Sequence, residues 1–139
     1  MKDHENIHLK VQDLCDCFSS TDPLKEMAAI TGEKNSSEAA LKWIALTALH
    51  GINANAEKIT LKADKDGQIK VVAEYRKTEL PSPGRDIGKA VFKAIREITH
   101  IQGEKGKTQL ALGIRDSSLD LHVKLKEKKD KRELDIAFP

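Results

Sequence analysis

The stretch TQLALGIRDSSLDLHVKLKEKKDKRELDIAF, residues 108–138, decides the fold. Apolar residues alternate in three runs: Leu110, Leu112 and Ile114, then Leu119, Leu121, Val123 and Leu125, then Leu134, Ile136 and Phe138. A period of two, interrupted at Asp116-Ser117 and Lys129-Asp130, predicts a three-strand antiparallel meander with one apolar face. The first turn pairs Ile114 with Leu119 and Leu112 with Leu121. The second pairs Leu125 with Leu134 and Val123 with Ile136. On the polar face it sets Lys124 against Asp135 and Lys126 against Glu133, which are favourable cross-strand pairs.

Upstream of the meander the period changes. Leu80-Pro81-Ser82-Pro83 ends a strand, with Ser82 as a cap and Pro83 as the first residue of a helix to about His100. Ile87, Val91, Ile95 and Ile98 form its buried side, with Phe92 at the margin. Before it lies a hairpin whose register can be worked out. A two-residue Asp66-Gly67 turn would scatter the apolar residues over both faces. A three-residue loop, Lys65-Asp66-Gly67, pairs Ala63 with Ile69, Leu61 with Val71 and Ile59 with Ala73, and gathers them on one. A one-residue slip flips every side chain, so the second register wins, with Gly67 left-handed in a bulge.

Ala39 to Leu49 is apolar on nearly every side, interrupted only by Lys42 and Thr47. Such a helix needs cover all round, so it is the central one, opened by an Asn35/Glu38 capping box and stopped at Gly51. Residues 1–34 supply the cover. Ile7, Val11, Leu14 and Phe18 make one helical stripe, and Asp22-Pro23 caps a short helix through Leu24, Met27 and Ile30. The expected fold is α+β: a five-stranded, mainly antiparallel sheet with helices on one face. Residues 1–34 form an N-terminal helical arm packed on an α-ββ-α-βββ body, 35–139, within a single structural domain.

The chain has 139 residues and a net charge of +2. That balance hides an asymmetry, because residues 1–34 hold 4 basic and 7 acidic side chains and the body is basic. No apolar run approaches the roughly 20 residues that span a bilayer, and no signal-like stretch follows Met1. Cys15 and Cys17 are too close together to staple a fold. The expectation is a reduced, cytoplasmic protein with no membrane partner.

Three strings invite chemistry. His4-Glu5-Asn6-Ile7-His8 has the H-E-x-x-H form in which two histidines one turn apart hold zinc. Position 14, where a third histidine would extend the motif, is Leu14, so His4 and His8 read first as polar flanks of a packed helix. Asp64-Lys65-Asp66-Gly67 opens like a calcium loop but fails at Ile69 and Tyr75, and is a turn. No Gly-rich phosphate loop, catalytic triad or dinucleotide fingerprint is present, so no catalytic residue and no cofactor is assigned.

The third is a basic stripe. At 100° per residue, Arg85, Lys89, Lys93, Arg96 and His100 fall within about 80° of arc. With the helix start at Ser82 and Gly84 they are the anion-binding candidates, for nucleic acid or a phosphate ligand. Lys124, Lys126, Lys128, Lys129, Lys131 and Arg132 add to them at the meander tip. Against this stands the lack of aromatic side chains for stacking bases. The last strand, Leu134, Ile136 and Phe138, has no positively charged gatekeeper after Glu133 and reads as an open edge for a partner. The first expectation is therefore a non-enzymatic interaction module, binding a protein partner or itself as a homodimer through that edge or the arm. Nucleic-acid or phosphate binding through helix 83–100 is one alternative, and a metal-binding or metallohydrolase site at His4 and His8 is another.

Overall fold

The computed structural model describes residues 2–74, 78–114, 117–128 and 131–139, the side chains of 2–6, 114 and 117 excepted. Among the described residues four α-helices, α1 (Lys2–Phe18), α2 (Pro23–Ala29), α3 (Ser36–Asn53) and α4 (Arg85–Thr99), accompany six strands. These are β1 (Lys58–Ala63), β2 (Ile69–Ala73), β3 (Thr78–Leu80), β4 (Lys105–Ile114), β5 (Ser117–Glu127) and β6 (Arg132–Ala137). The fold is α+β. The sheet runs β3-β2-β1-β6-β5-β4, every neighbour antiparallel, with the helices on one face.

α3 is the hub. Asn35 accepts the Glu38 N–H at 3.1 Å, and residues 39–51 are buried except Lys42, which is half-buried. Gly51 does not stop it. The helix runs two residues further and closes in a Schellman turn, with Ala56 N–H on Gly51 O, Asn55 N–H on Ile52 O and Asn55 left-handed at φ 56°. Gly51 is needed for packing instead: a β-carbon there would collide with the Phe138 ring. The arm joins the same core, because Val11, Cys15, Met27 and Ile30 are buried in one apolar cluster with α3, α4 and the sheet.

The hairpin has the expected register, Ile59 with Ala73 and Ala63 with Ile69, and Gly67 is left-handed at φ 84°. The second meander pairing is also as expected, Val123 with Ile136 and Leu125 with Leu134. The first is shifted by two. Leu112, not Ile114, faces Leu119, and Ile114 faces Ser117. A two-residue shift keeps every side chain on its own face, so hydrophobic alternation cannot tell the two registers apart. The turn residues Asp116, Lys129 and Asp130 lie outside the described residues, as does Tyr75.

Two further expectations are corrected. The sixth strand, β3, pairs Leu80 with Val71 and Thr78 with Ala73. Three residues are too few for a period of two to show, so the sequence pattern does not separate it from the strand before it. And β6 is no edge: it lies between β1 and β5, hydrogen-bonded on both sides, with Leu134 and Ile136 buried and Phe138 packed against the core. Its lack of charged gatekeepers reflects an interior strand that needs none. The edges are β3 and β4.

Candidate anion-binding site

α4 crosses the sheet beside its hairpin tips. Gly88 lets it approach β2, since a β-carbon there would meet Ile69 at 2.6 Å. One turn earlier Arg85 lies over the β1–β2 turn, its Nε 2.9 Å from where a Gly67 β-carbon would be. The helix starts at Arg85, two residues later than Pro83. Gly84 takes the cap position at φ 94°, and Ser82 acts one step back, its Oγ accepting the Gly84 N–H at 3.2 Å.

This approach builds a cleft of about 220 Å³ from three separate segments. Arg85 and Lys89 come from α4, Lys65 from the hairpin turn, and Lys131 and Arg132 from the start of β6. Asp64 and Asp66 are the carboxylates in its lining. Asp64 is committed to the turn: one oxygen accepts the N–H groups of Asp66 at 2.9 Å and Gln68 at 3.0 Å. Phe92 closes the floor but is 2% exposed, so it offers no face for stacking.

The rest of the basic stripe goes elsewhere. Angular closeness on a wheel says nothing of distance along the axis, and a helix of 15 residues is about 22 Å long. Arg96 is a clamp. Its Nε donates to Glu127 Oε1 at 2.5 Å, Nη1 to Ile101 O at 3.2 Å and Nη2 to Gly103 O at 2.8 Å, tying the α4–β4 loop to the end of β5. Glu127 also draws in Arg132 at 3.8 Å. Lys93 lines a different groove, with Lys10, Glu38 and Glu97. His100 is the left-handed residue that ends α4, at φ 61°. Of the seven anion-binding candidates, the cleft brings together Arg85 and Lys89; Ser82 and Gly84 shape the start of α4 and do not line it. Lys65 carries no site signal in the sequence, because its segment reads as a turn.

The H-E-x-x-H string has another use. His8 Nε2 donates to Ala111 O on β4 at 2.8 Å, so this ring ties α1 to the edge strand. The side chain of His4 lies outside the described residues. Among those described, no group of three or more His, Cys, Asp or Glu side chains is placed to hold a metal ion. Cys15 is buried, and burial, helped by the Asp16 charge, pushes its thiol up to about 12. No described helix is long and apolar enough to cross a membrane. The chain matches no protein-family model and no curated protein sequence.

Proposed function

We propose that this protein is a binding module that grips phosphate groups in the cleft between the β1–β2 turn, α4 and the start of β6. The observation that carries this is the convergence of Arg85, Lys89, Lys131, Arg132 and Lys65 on one cavity. Separate chain segments deliver five cations against two carboxylates, Asp64 and Asp66, and Asp64 is turned to the backbone N–H groups of its own turn. Arg85 and Arg132 supply planar forks that match phosphate oxygens, and the lysines supply point charges. With no exposed ring beside them among the described residues, they contact backbone or terminal phosphate and not bases. Among the histidines whose side chains are described, His8 is held by β4, His50 is buried in α3, His100 ends α4 and His122 stands on the open face of the sheet, and none lines the cleft.

The test is fluorescence anisotropy with single- and double-stranded DNA and RNA, alongside calorimetry with nucleoside triphosphate and pyrophosphate. Four phosphate contacts give a log–log salt slope of about −3 to −4, a loss of about 50- to 150-fold between 50 and 200 mM salt. Lys89→Ala and Lys131→Ala should each lower the slope by about 1. Oligonucleotide binding without nucleotide binding would identify a polymer ligand, and the converse a small one. No binding of either kind at low salt, or binding that survives Arg85→Glu with Lys89→Glu, would refute the proposal.

A further inference from the structure

The long edge of the sheet is covered over only part of its length. Gln12 on α1 hydrogen-bonds both backbone groups of Gly113 on β4: its Nε2 donates to the carbonyl at 2.5 Å and its Oε1 accepts the N–H at 2.6 Å. His8, one turn earlier, holds Ala111 O, two residues earlier. The four residues from His8 to Gln12 advance about 6 Å along the helix and two strand residues about 6.8 Å, so the two ladders match. The Gln12 amide thus imitates one residue of an added strand.

These bonds fix which groups of β4 point outward. The β4–β5 register is continuous from Lys105 to Ile114, so outward-facing residues alternate: 113, 111, 109, 107 and 105. Gly106, Thr108 and Leu110 turn their backbone to β5. Toward its start, the outer edge at Lys105 and Lys107 has no hydrogen-bonded partner among the described residues.

The side chains along that stretch are patterned. On the open face Lys105 stands opposite Lys126 and Lys107 opposite Lys124, all four exposed. None forms an ion pair among the described residues. Across β5 the β6 carboxylates Asp135 and Glu133 face Lys124 and Lys126, two anions for four lysines, and both are shared, Asp135 with the Thr60 hydroxyl at 2.8 Å and Glu133 with Lys62 at 3.8 Å. Like charges set directly opposite one another on a sheet are unfavourable, so this block calls for an anionic neighbour. On the other face the edge is uncharged: Gly106 packs on Ile101, where a β-carbon would approach to 2.7 Å, and Thr108 follows.

We propose that β4 from Lys105 to Gln109 is a docking edge for an extended acidic segment of a partner protein, added as a seventh strand. The segment alternates. Its Asp or Glu side chains lie on the lysine face and its apolar side chains turn toward Ile101 and Thr108. A second copy of this chain is disfavoured as the occupant, because pairing β4 with β4 would bring two lysine-bearing edges together. The edge shares no residue with the phosphate cleft.

The test uses the full chain and a capped peptide of three Glu-Val repeats, read by calorimetry and amide exchange. Binding should protect the Lys105 and Lys107 amides. Lys107→Pro removes an outward N–H, costs no β4–β5 hydrogen bond and suits an edge strand, so it should fold and bind the peptide at least tenfold more weakly. Lys105→Glu with Lys107→Glu should abolish binding of this peptide and admit one of Lys-Val repeats, which keeps the proposal testable if the proline variant fails to fold. Undiminished binding to Lys107→Pro would show plain ionic attraction and overturn strand addition. So would protection confined to β3, no binding at millimolar peptide, or a concentration-dependent dimer that buries the Lys107 amide.

Discussion

Arg96 separates a structural cation from a ligand-binding one. Arg96→Ala removes an ion pair and two hydrogen bonds to carbonyls, at a side chain 28% exposed facing a Glu127 side chain 22% exposed. Hydrogen bonds to charged groups contribute about 1.5–3 kcal/mol when well buried, and partial exposure reduces each. The Ile101 and Gly103 carbonyls also regain water in the variant. A net loss of about 2–3 kcal/mol follows, which for a chain of this length lowers Tm by roughly 6–12 °C. Arg96→Lys should recover less than half, because one ammonium cannot serve three acceptors spread across a planar fork. Urea denaturation followed by circular dichroism measures the loss, and anisotropy at 20 °C, where the variant is still folded, measures the ligand. The cleft affinity should stay within about twofold. Glu127→Gln should weaken the clamp yet tighten anion binding, since it frees Arg132. An Arg96→Ala variant that keeps its Tm but loses the ligand would refute this reasoning, and the site would then have to extend along the whole helix.

Three other outcomes follow from particular side chains. Burial holds the His50 imidazole below its ordinary pKa of 6.5, with Asp22 partly opposing, so the folded state binds its proton less readily than the unfolded one. Its contribution is complete above pH 6.5 and lost as pH falls from there toward the folded value, at up to about 1.4 kcal/mol per unit, and His50→Gln should flatten that slope in denaturation titrations. A thiol reagent at pH 8 should label exposed Cys17 alone in the native protein, with Cys15 reacting only on unfolding; equal rates would mean that α1 is not docked. Gly51→Ala should destabilise by about 1–3 kcal/mol, the reverse of the usual gain from alanine in a helix, because the new methyl collides with Phe138. Phe138→Leu in the same chain should restore part of the loss.

What was legible in the sequence follows from what each pattern can discriminate. The β1–β2 register was fixed because a slip of one residue exposes Leu61 and Val71, which is costly. The β4–β5 register was not, because a slip of two exposes nothing new. The place of β6 in the sheet depends on its contact with β1, more than seventy residues earlier in the chain, for which local periodicity holds no information. There was nonetheless a signal. Lysines at 105 and 107 mark β4 as a strand that guards an edge, and their absence from the apolar run 134–138 marks a strand with both sides paired. The basic stripe was legible as an angle but not as a site, because the partners of Arg85 and Lys89 come from Lys65, Lys131 and Arg132, on hairpin tips distant in sequence.

The charge asymmetry between arm and body invites the idea that attraction holds the arm in place, and the magnitudes decide against it. The Lys42–Glu33 ion pair, 3.4 Å long with side chains 20% and 38% exposed, contributes about 0–1 kcal/mol. Val11, Met27 and Ile30 are each 0% exposed, and burying such a side chain contributes roughly 1.5–3 kcal/mol. Arm docking is therefore apolar and nearly indifferent to salt, whereas the proposed ligand contact is ionic. Raising salt from 50 to 500 mM should weaken phosphate binding about a thousandfold, by the slope for four contacts, while leaving Tm and the exchange protection of α1 amides almost unchanged. If α1 loses protection over that range, the arm is held by charge after all. If the ligand stays bound, the cleft cations are not what grips it.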